Sequence, residues 1–347
     1  MQMHLETRNR EAFELVSDAL EAVDRYRVSR DVSILDDAKT KLVAAIQKDP
    51  SYFRASYYNA IVDDLAGRSA KAADELRKLV NLQPALTDEV RYNLAVAEYH
   101  GYGHEALDRA IDHFSEVLRE SAEPALQLLA QAGLAQANAM HMIPKLPEKP
   151  DLASIQKHFE CATMFAADAL KGGREHGSRW HRDAARQLVA STASDVEWTA
   201  HNASGMALMY YSDYFPPTSE SEYKEKRVDT LQDALRALEK ADKAAPRNWA
   251  NYCDVASAYM RLGVYTQDSG FFKEAMARLQ QVVDRLRPGY PFALYEMGRV
   301  HRIMGEFDQA IALFKHVLSV PLDQRDISDR RPTLELGRAE KHDKSFP

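Results

Sequence analysis

Two stretches decide the fold, Leu35-Asp-Asp-Ala38-Lys-Thr-Lys-Leu42-Val-Ala-Ala45-Ile46 and Phe307-Asp-Gln-Ala310-Ile-Ala-Leu-Phe314-Lys-His-Val317-Leu318. Each centres on a small alanine with apolar residues at −3, +4, +7 and +8. Those offsets trace one stripe of an α-helix and put the alanine where a neighbouring helix must come close. The pattern recurs around Ala72 (Leu76, Leu79, Val80) and Ala110 (Leu107, Phe114, Val117, Leu118). It recurs again around Ala234 (Leu231, Leu238, Ala241) and Ala275 (Phe272, Leu279, Val282, Val283), with a weaker copy at Ala162 (Phe159, Ala166, Ala169, Leu170).

Proline punctuates these helices, because it cannot continue one. Pro50, Pro84 and Pro246 each follow their alanine by 12 residues, and Pro288 and Pro321 fall within one residue of that offset. The intervals Ala38 to Ala72, Pro50 to Pro84 and Asn59 to Asn93 are all 34 residues, and Ala275 to Ala310 is 35. A first helix precedes the striped one. Leu294-Tyr295-Glu-Met297-Gly298-Arg-Val-His301, followed by Gly305 and Phe307, is one copy. Tyr252-Cys-Asp-Val255-Ala256-Ser-Ala-Tyr259, followed by Gly263, is a second, and Tyr92-Asn-Leu94-Ala95-Val-Ala-Glu98 a third.

Spacing and residues together resemble the tetratricopeptide (TPR) repeat, with Leu294 in place of its Trp and His301 in place of its Tyr. The resemblance covers roughly residues 30–322. It implies an all-α protein, a right-handed α-solenoid of about seven stacked helical hairpins. A single hairpin cannot bury its own stripe, so neighbours must stack. An irregular bundle would have no reason to keep a 34-residue period.

Between these copies the ruler is irregular. Successive alanine intervals are 34, 38, 52, 72, 41 and 35 residues. The 52 contains Pro144-Lys-Leu-Pro147-Glu-Lys-Pro150, a stiff non-helical loop. The 72 holds Ser178–Tyr211, one long or two short helices, then the loop 215–221. Residues 1–30 read as a long opening helix paired with the Ala38 helix. The expected layout is a repeat domain over 1–322, with irregular insertions at about 140–225, and a polar cap or tail over 323–347. That last stretch carries six acidic and six basic side chains.

Composition narrows the function. Net charge is −7, from 45 basic and 52 acidic side chains, with both signs interspersed. That argues against nucleic acid, whose phosphates usually demand a basic excess. Cys161 and Cys253 are too few for a disulfide framework or a cysteine-built metal site. Met1–Arg10 lacks the apolar run of a secretory signal, and no stretch is apolar enough to span a bilayer. The expectation is a cytoplasmic protein without a membrane anchor, metal or cofactor.

No phosphate-cradling glycine loop, nucleophile elbow or zinc-binding H-E-x-x-H helix appears. His100 and His104 flank glycines and read as a loop. The densest titratable cluster, Glu175, His176, His181, Asp183, Asp195, Glu197 and His201, reads first as solvated or packing residues. Cys161 falls on an apolar helix side and reads as buried, whereas Cys253 falls near an inner surface and could be exposed.

In tetratricopeptide proteins the first helices line the concave face, where ligands lie. Carried over, that frame implies inward positions at Tyr58, Asn59 and Val62, then Tyr92, Asn93, Val96 and Tyr99. It also implies Cys253, Asp254 and Ser257, and finally Phe292, Tyr295, Glu296, Arg299 and Arg302. Asn59 and Asn93, one repeat apart and each preceded by Tyr, form a ladder able to hydrogen-bond an extended peptide, or to cap neighbouring hairpins. Arg299 and Arg302 read as surface arginines, or as partners for an acidic segment. The family's clamp for chaperone C-termini fits poorly, because its two cations would fall on Glu89 and Asn93. The expected function is a non-catalytic adaptor or scaffold that binds a protein or peptide, with self-association possible. The alternatives are a ligand- or peptide-sensing regulator and an enzyme built into the irregular middle.

Overall fold

The computed structural model describes residues 3–29, 31–101, 103–143, 151–183, 193–214, 220–321 and 330–345. Among them there are helices and no strands. Contacts divide the chain into two units, one built on Met1–Ala130 and one on Gln131–Trp180 with Ser191–Pro347.

The first unit holds α1 (Arg10–Ser29), α2 (Ser33–Lys48), α3 (Phe53–Leu65), α4 (Ser69–Leu79), α5 (Thr87–His100) and α6 (His104–Glu120). Each helix packs on the next in sequence from α1 to α6, and α1, α3 and α5 also meet one another in order. That is the contact pattern of stacked hairpins whose first helices share a face. An extended segment precedes α1. His4 forms an isolated bridge with Tyr52, and the Gln83 side-chain amide donates to the Met3 carbonyl at 2.7 Å.

Helix α7 (Pro124–His141) leads into the second unit, which holds α8 (Leu152–Asp183), α9 (Ala193–Tyr211), α10 (Glu220–Ala244), α11 (Trp249–Thr266) and α12 (Ser269–Gln281). It continues through α13 (Pro291–Met304), α14 (Phe307–Ser319) and α15 (Arg330–Glu340). Here α9 to α15 pack consecutively, and α9, α11, α13 and α15 again touch in order. Each unit is therefore a tetratricopeptide-like stack of hairpins.

The alanine ruler marks the core. Ala38, Ala72, Ala110, Ala162, Ala234, Ala275 and Ala310 are all 0% exposed. Their helices are amphipathic, and the close contact at each alanine lets the stripe residues interdigitate. Full burial of one such Leu or Phe is worth about 1.5–3 kcal/mol. At Gly298 a Cβ would lie 2.6 Å from the Phe314 ring of α14, and at Gly205 of α9 equally close to Leu238 of α10. Gly263 meets the Phe272 ring at 2.7 Å in the hairpin of α11 and α12. Gly305, at φ 88°, ends α13 in the left-handed region that glycine adopts without strain.

The opening helix forms as the sequence indicates, from Arg10 onward, and packs on α2. The long interval resolves into α8 and α9. Of the expected loops, 144–150 and 215–219 lie outside the described residues, and Glu220 and Ser221, expected in the second loop, already belong to α10. The last helix, α15, buries Ala339 and Glu335 against its neighbours, while Leu336 packs beside Phe314.

Candidate functional site

The first-helix face differs between the units. In the first unit it is closed by buried carboxylates, each clamped by cations from the helices on either side. Asp63, near the end of α3, has a fully buried side chain and meets Lys39 of α2 at 2.5 Å, Arg68 at 2.7 Å and Lys71 of α4 at 3.3 Å. Burial alone would raise its pKa, but the Lys39 and Arg68 hydrogen bonds outweigh it and hold the carboxyl below its usual range. Glu98, near the end of α5, repeats the arrangement with Arg77 of α4 at 2.9 Å and Arg109 of α6 at 3.0 Å.

Most of the inward residues expected here are built into packing. Tyr58 is buried with its ring 5.3 Å from Tyr57, and the buried Tyr92 ring lies 5.7 Å from Phe114. The Asn93 amide donates to the Tyr57 hydroxyl at 2.6 Å and to the Glu89 carbonyl at 2.9 Å. Both amide hydrogens of Asn93 are thus committed inside the fold. Asn59 differs: it is half-buried, and its Oδ1 has no hydrogen-bond partner. Tyr99 is half-buried against His100. The ladder read from sequence thus offers two unequal rungs.

In the second unit a polar seam runs from helix to helix. Gln136 of α7 donates to Asn202 of α9 at 2.9 Å. Asn202 is 1% exposed, and its amide donates to Asp254 at 2.8 Å and to Asn251 at 3.3 Å, both on α11. Ser257, one turn further along α11, donates to Glu296 of α13 at 3.1 Å. Arg299 closes on Glu296 at 2.9 and 3.1 Å. Arg261 bonds Asp213 through Nε at 3.2 Å, Tyr265 donates to the same carboxylate at 2.9 Å, and the Arg261 guanidinium stands 5.4 Å from the Tyr210 ring.

Asp254 is the sensitive member. Burial pushes its carboxyl up to about 7, the nearby Glu296 adds to the shift, and Asn202 and Arg261 only partly oppose it. A carboxyl poised there changes charge near neutral pH, and such groups mark candidate sites. Tyr214 and Tyr295 are pushed up to about 12 by burial and stay neutral hydroxyls.

Three expectations need correction. Arg302 is 0% exposed: its Nε donates to Glu335 of α15 at 2.6 Å, and its Nη1 donates to the Asp343 and Ser345 carbonyls at 2.6 and 2.9 Å. It is neither a surface arginine nor open to a partner, because the C-terminal helix and the residues after it close over it. Arg299 is likewise buried, paired to Glu296 with Tyr295 5.8 Å beneath its guanidinium. Cys253 is buried on the core side of α11, and burial pushes its thiol well above the usual range, which leaves it unreactive. Cys161 is half-buried rather than fully buried.

Asp254, Ser257 and Glu296 sit in the seam, as their frame positions imply. Sequence reasoning missed Gln136, Asn202 and Arg261. Arg261 was accessible to it, being one turn beyond Ser257 on the same face; the other two lie where the period breaks. The side chains of Glu175, His176, His181 and Asp183 lie outside the described residues. No group of three or more His, Cys, Asp or Glu able to hold a metal occurs among the described ones. No helix among the described residues is long and apolar enough to cross a membrane.

No protein-family model and no curated protein matches the sequence. Among solved structures, the chain is similar to a tetratricopeptide repeat protein from Parabacteroides merdae, at 13% identity and TM-score 0.49, covering 96% of this chain and 100% of that one. It is similar to a thermophilic TPR protein of Thermus thermophilus at 17% identity and TM-score 0.44, covering 73% and 99%. A human IFIT1 dimer with PPP-AAAA aligns at 16% identity and TM-score 0.39, covering 98% and 84%. Likeness at this level carries no function across.

Proposed function

We propose that this tetratricopeptide-like protein is a non-catalytic adaptor that holds a protein or peptide segment on the first-helix face of its second unit. The observation that supports this reading is the seam itself. Asn202, Ser257 and Glu296 are buried and tie three successive first helices together, and among them Asp254 stays half-exposed. Its carboxylate can accept a backbone N–H of an incoming extended peptide. Asp254 and Tyr210, which stands by Arg261, are half-buried members of that face, so an incoming segment can reach them. Tyrosine suits such a contact by combining a large apolar ring with a polar tip. In the first unit, Asn59 and Tyr99 are the half-buried residues of the expected site that remain candidates for a partner, while Tyr58, Tyr92 and Asn93 are engaged in packing and hydrogen bonds within the fold.

The test is affinity capture from host lysate, with and without nuclease, read by quantitative mass spectrometry. Wild type is compared with Asp254→Ala/Tyr210→Ala and with Asn59→Ala/Tyr99→Ala, after each is shown to melt cooperatively. A protein captured by wild type, indifferent to nuclease and lost with the first variant supports the second-unit seam. Loss with the second variant alone moves the site to α3 and α5. Capture abolished by nuclease rejects a peptide partner.

A further inference from the structure

On the other side of α11 from the seam lies a cleft of about 240 Å³, bounded by α10, α11 and α12. Its lining includes Asp242 on α10, Tyr252, Val255 and Tyr259 on α11, and Arg278 on α12. Both tyrosine walls are braced. Arg278 stands over the Tyr252 ring at 5.2 Å, and the Tyr259 ring lies 6.1 Å from Phe271, nearly parallel to it. Asn251, fully buried at the cleft base, is tied by its amide to the Leu238 carbonyl at 3.1 Å.

Asp242 is the exception to this order. Its Oδ1 is buried and has no hydrogen-bond partner, and the residue makes no ion pair among the described residues. Burial raises its pKa, and only the charge of Arg278 opposes that. A buried acceptor left unbonded is costly to the fold, so native structures rarely retain one without a use. The other charges at the cleft are Glu239, Lys243 and Arg278. Lys243 is exposed at the rim and Arg278 is stacked on its ring.

We propose that this cleft binds an organic cation rich in N–H donors, a guanidinium or primary ammonium group, with Asp242 as its counter-charge. The aromatic walls add the favourable faces that such cations seek. The volume suits one arginine or lysine side chain, or the end of a free polyamine. An anion would meet the orphan carboxylate, and a purely apolar group would leave it unbonded. Neither occupant fits.

Differential scanning fluorimetry on the full chain tests this with three probes: N-acetyl-arginine amide, spermidine and N-acetyl-glutamate amide. The expected result is a saturable rise in melting temperature of about 2 °C at tenfold excess over Kd for at least one cation, and none for the glutamate probe. The Asp242→Asn variant is expected to melt no lower than wild type, because it removes a buried charge, and to lose the cation response. Those opposite effects separate loss of binding from loss of folding. A response to the arginine probe alone identifies the source as a side chain of another protein, and a response to spermidine alone identifies a free polyamine. Equal behaviour of all three probes, or an undiminished response in Asp242→Asn, overturns the proposal.

Discussion

The first-helix faces of the two units are built from similar residue types to opposite electrostatic ends. In the first unit, Asp63 and Glu98 are each buried among two or more cations, so both of these charges are matched. In the second, Asp254 receives one amide and faces another carboxylate, Glu296, whose own arginine is already engaged. Matched charge acts as mortar, because removing either partner strands the other. Under-matched charge marks a surface that gains when something else arrives. The contrast teaches that in repeated architecture the balance at equivalent positions, more than residue identity, separates a joint from a site.

Four substitutions probe that contrast, taken from the largest expected effect down. Arg302→Ala takes from buried Glu335 its closer arginine, leaves it the partly exposed Arg338 at 3.2 Å, and releases α15, at a cost of about 3–5 kcal/mol in urea unfolding. A loss under about 1 kcal/mol would mean that α15 is not an integral part of the second unit. Asp63→Asn comes next, at about 2–4 kcal/mol at pH 7, because Lys39 and Arg68 lose their counter-charge. The folded pKa of Asp63 lies below its unfolded value, so its contribution is present above the unfolded pKa and fades as pH falls through the folded one. The deficit of Asp63→Asn in a pH series of thermal melts should therefore shrink on acidification.

Asp254→Asn should behave in the reverse sense. Its folded pKa of about 7 lies above the unfolded value, so ionisation penalises the fold increasingly as pH rises toward 7 and fully above it. The variant is expected to be more stable than wild type by about 1–2 kcal/mol at pH 8, with the difference gone near pH 4. A destabilised Asp254→Asn at pH 8 would erase the distinction between the two faces. Smallest is Asn59→Ala, expected to shift stability by less than about 0.5 kcal/mol, since its Oδ1 accepts nothing in the fold. A larger loss would make Asn59 part of the mortar.

The hairpins were legible because their cause is local. An alanine at a fixed helical offset from bulky neighbours specifies a close approach, and every alanine on that ruler is fully buried. The burial of Arg302 was not legible in the same way. Its partners are Glu335 and two backbone carbonyls more than 30 residues downstream, in a segment whose polarity reads as solvent-facing. Nor could the seam be completed from sequence. Asn202 and Gln136 lie in the stretch where the period lapses, and no frame assigns them a face. The burial of Tyr58 and Tyr92 has a geometric origin. Position on a first helix fixes a direction, but whether a ring reaches the open face depends on its neighbours, and here Tyr57 and Phe114 capture both rings.

The contact of Gly298 with Phe314, and of Gly263 with Phe272, has a mechanical consequence. A ring resting on a bare α-carbon is a hard stop, since any closer approach drives atoms into repulsion. These two hairpins can therefore yield under load by opening but not by closing. Each behaves as a strut stiff in compression, and whatever give this end of the stack possesses resides in the joints between one strut and the next.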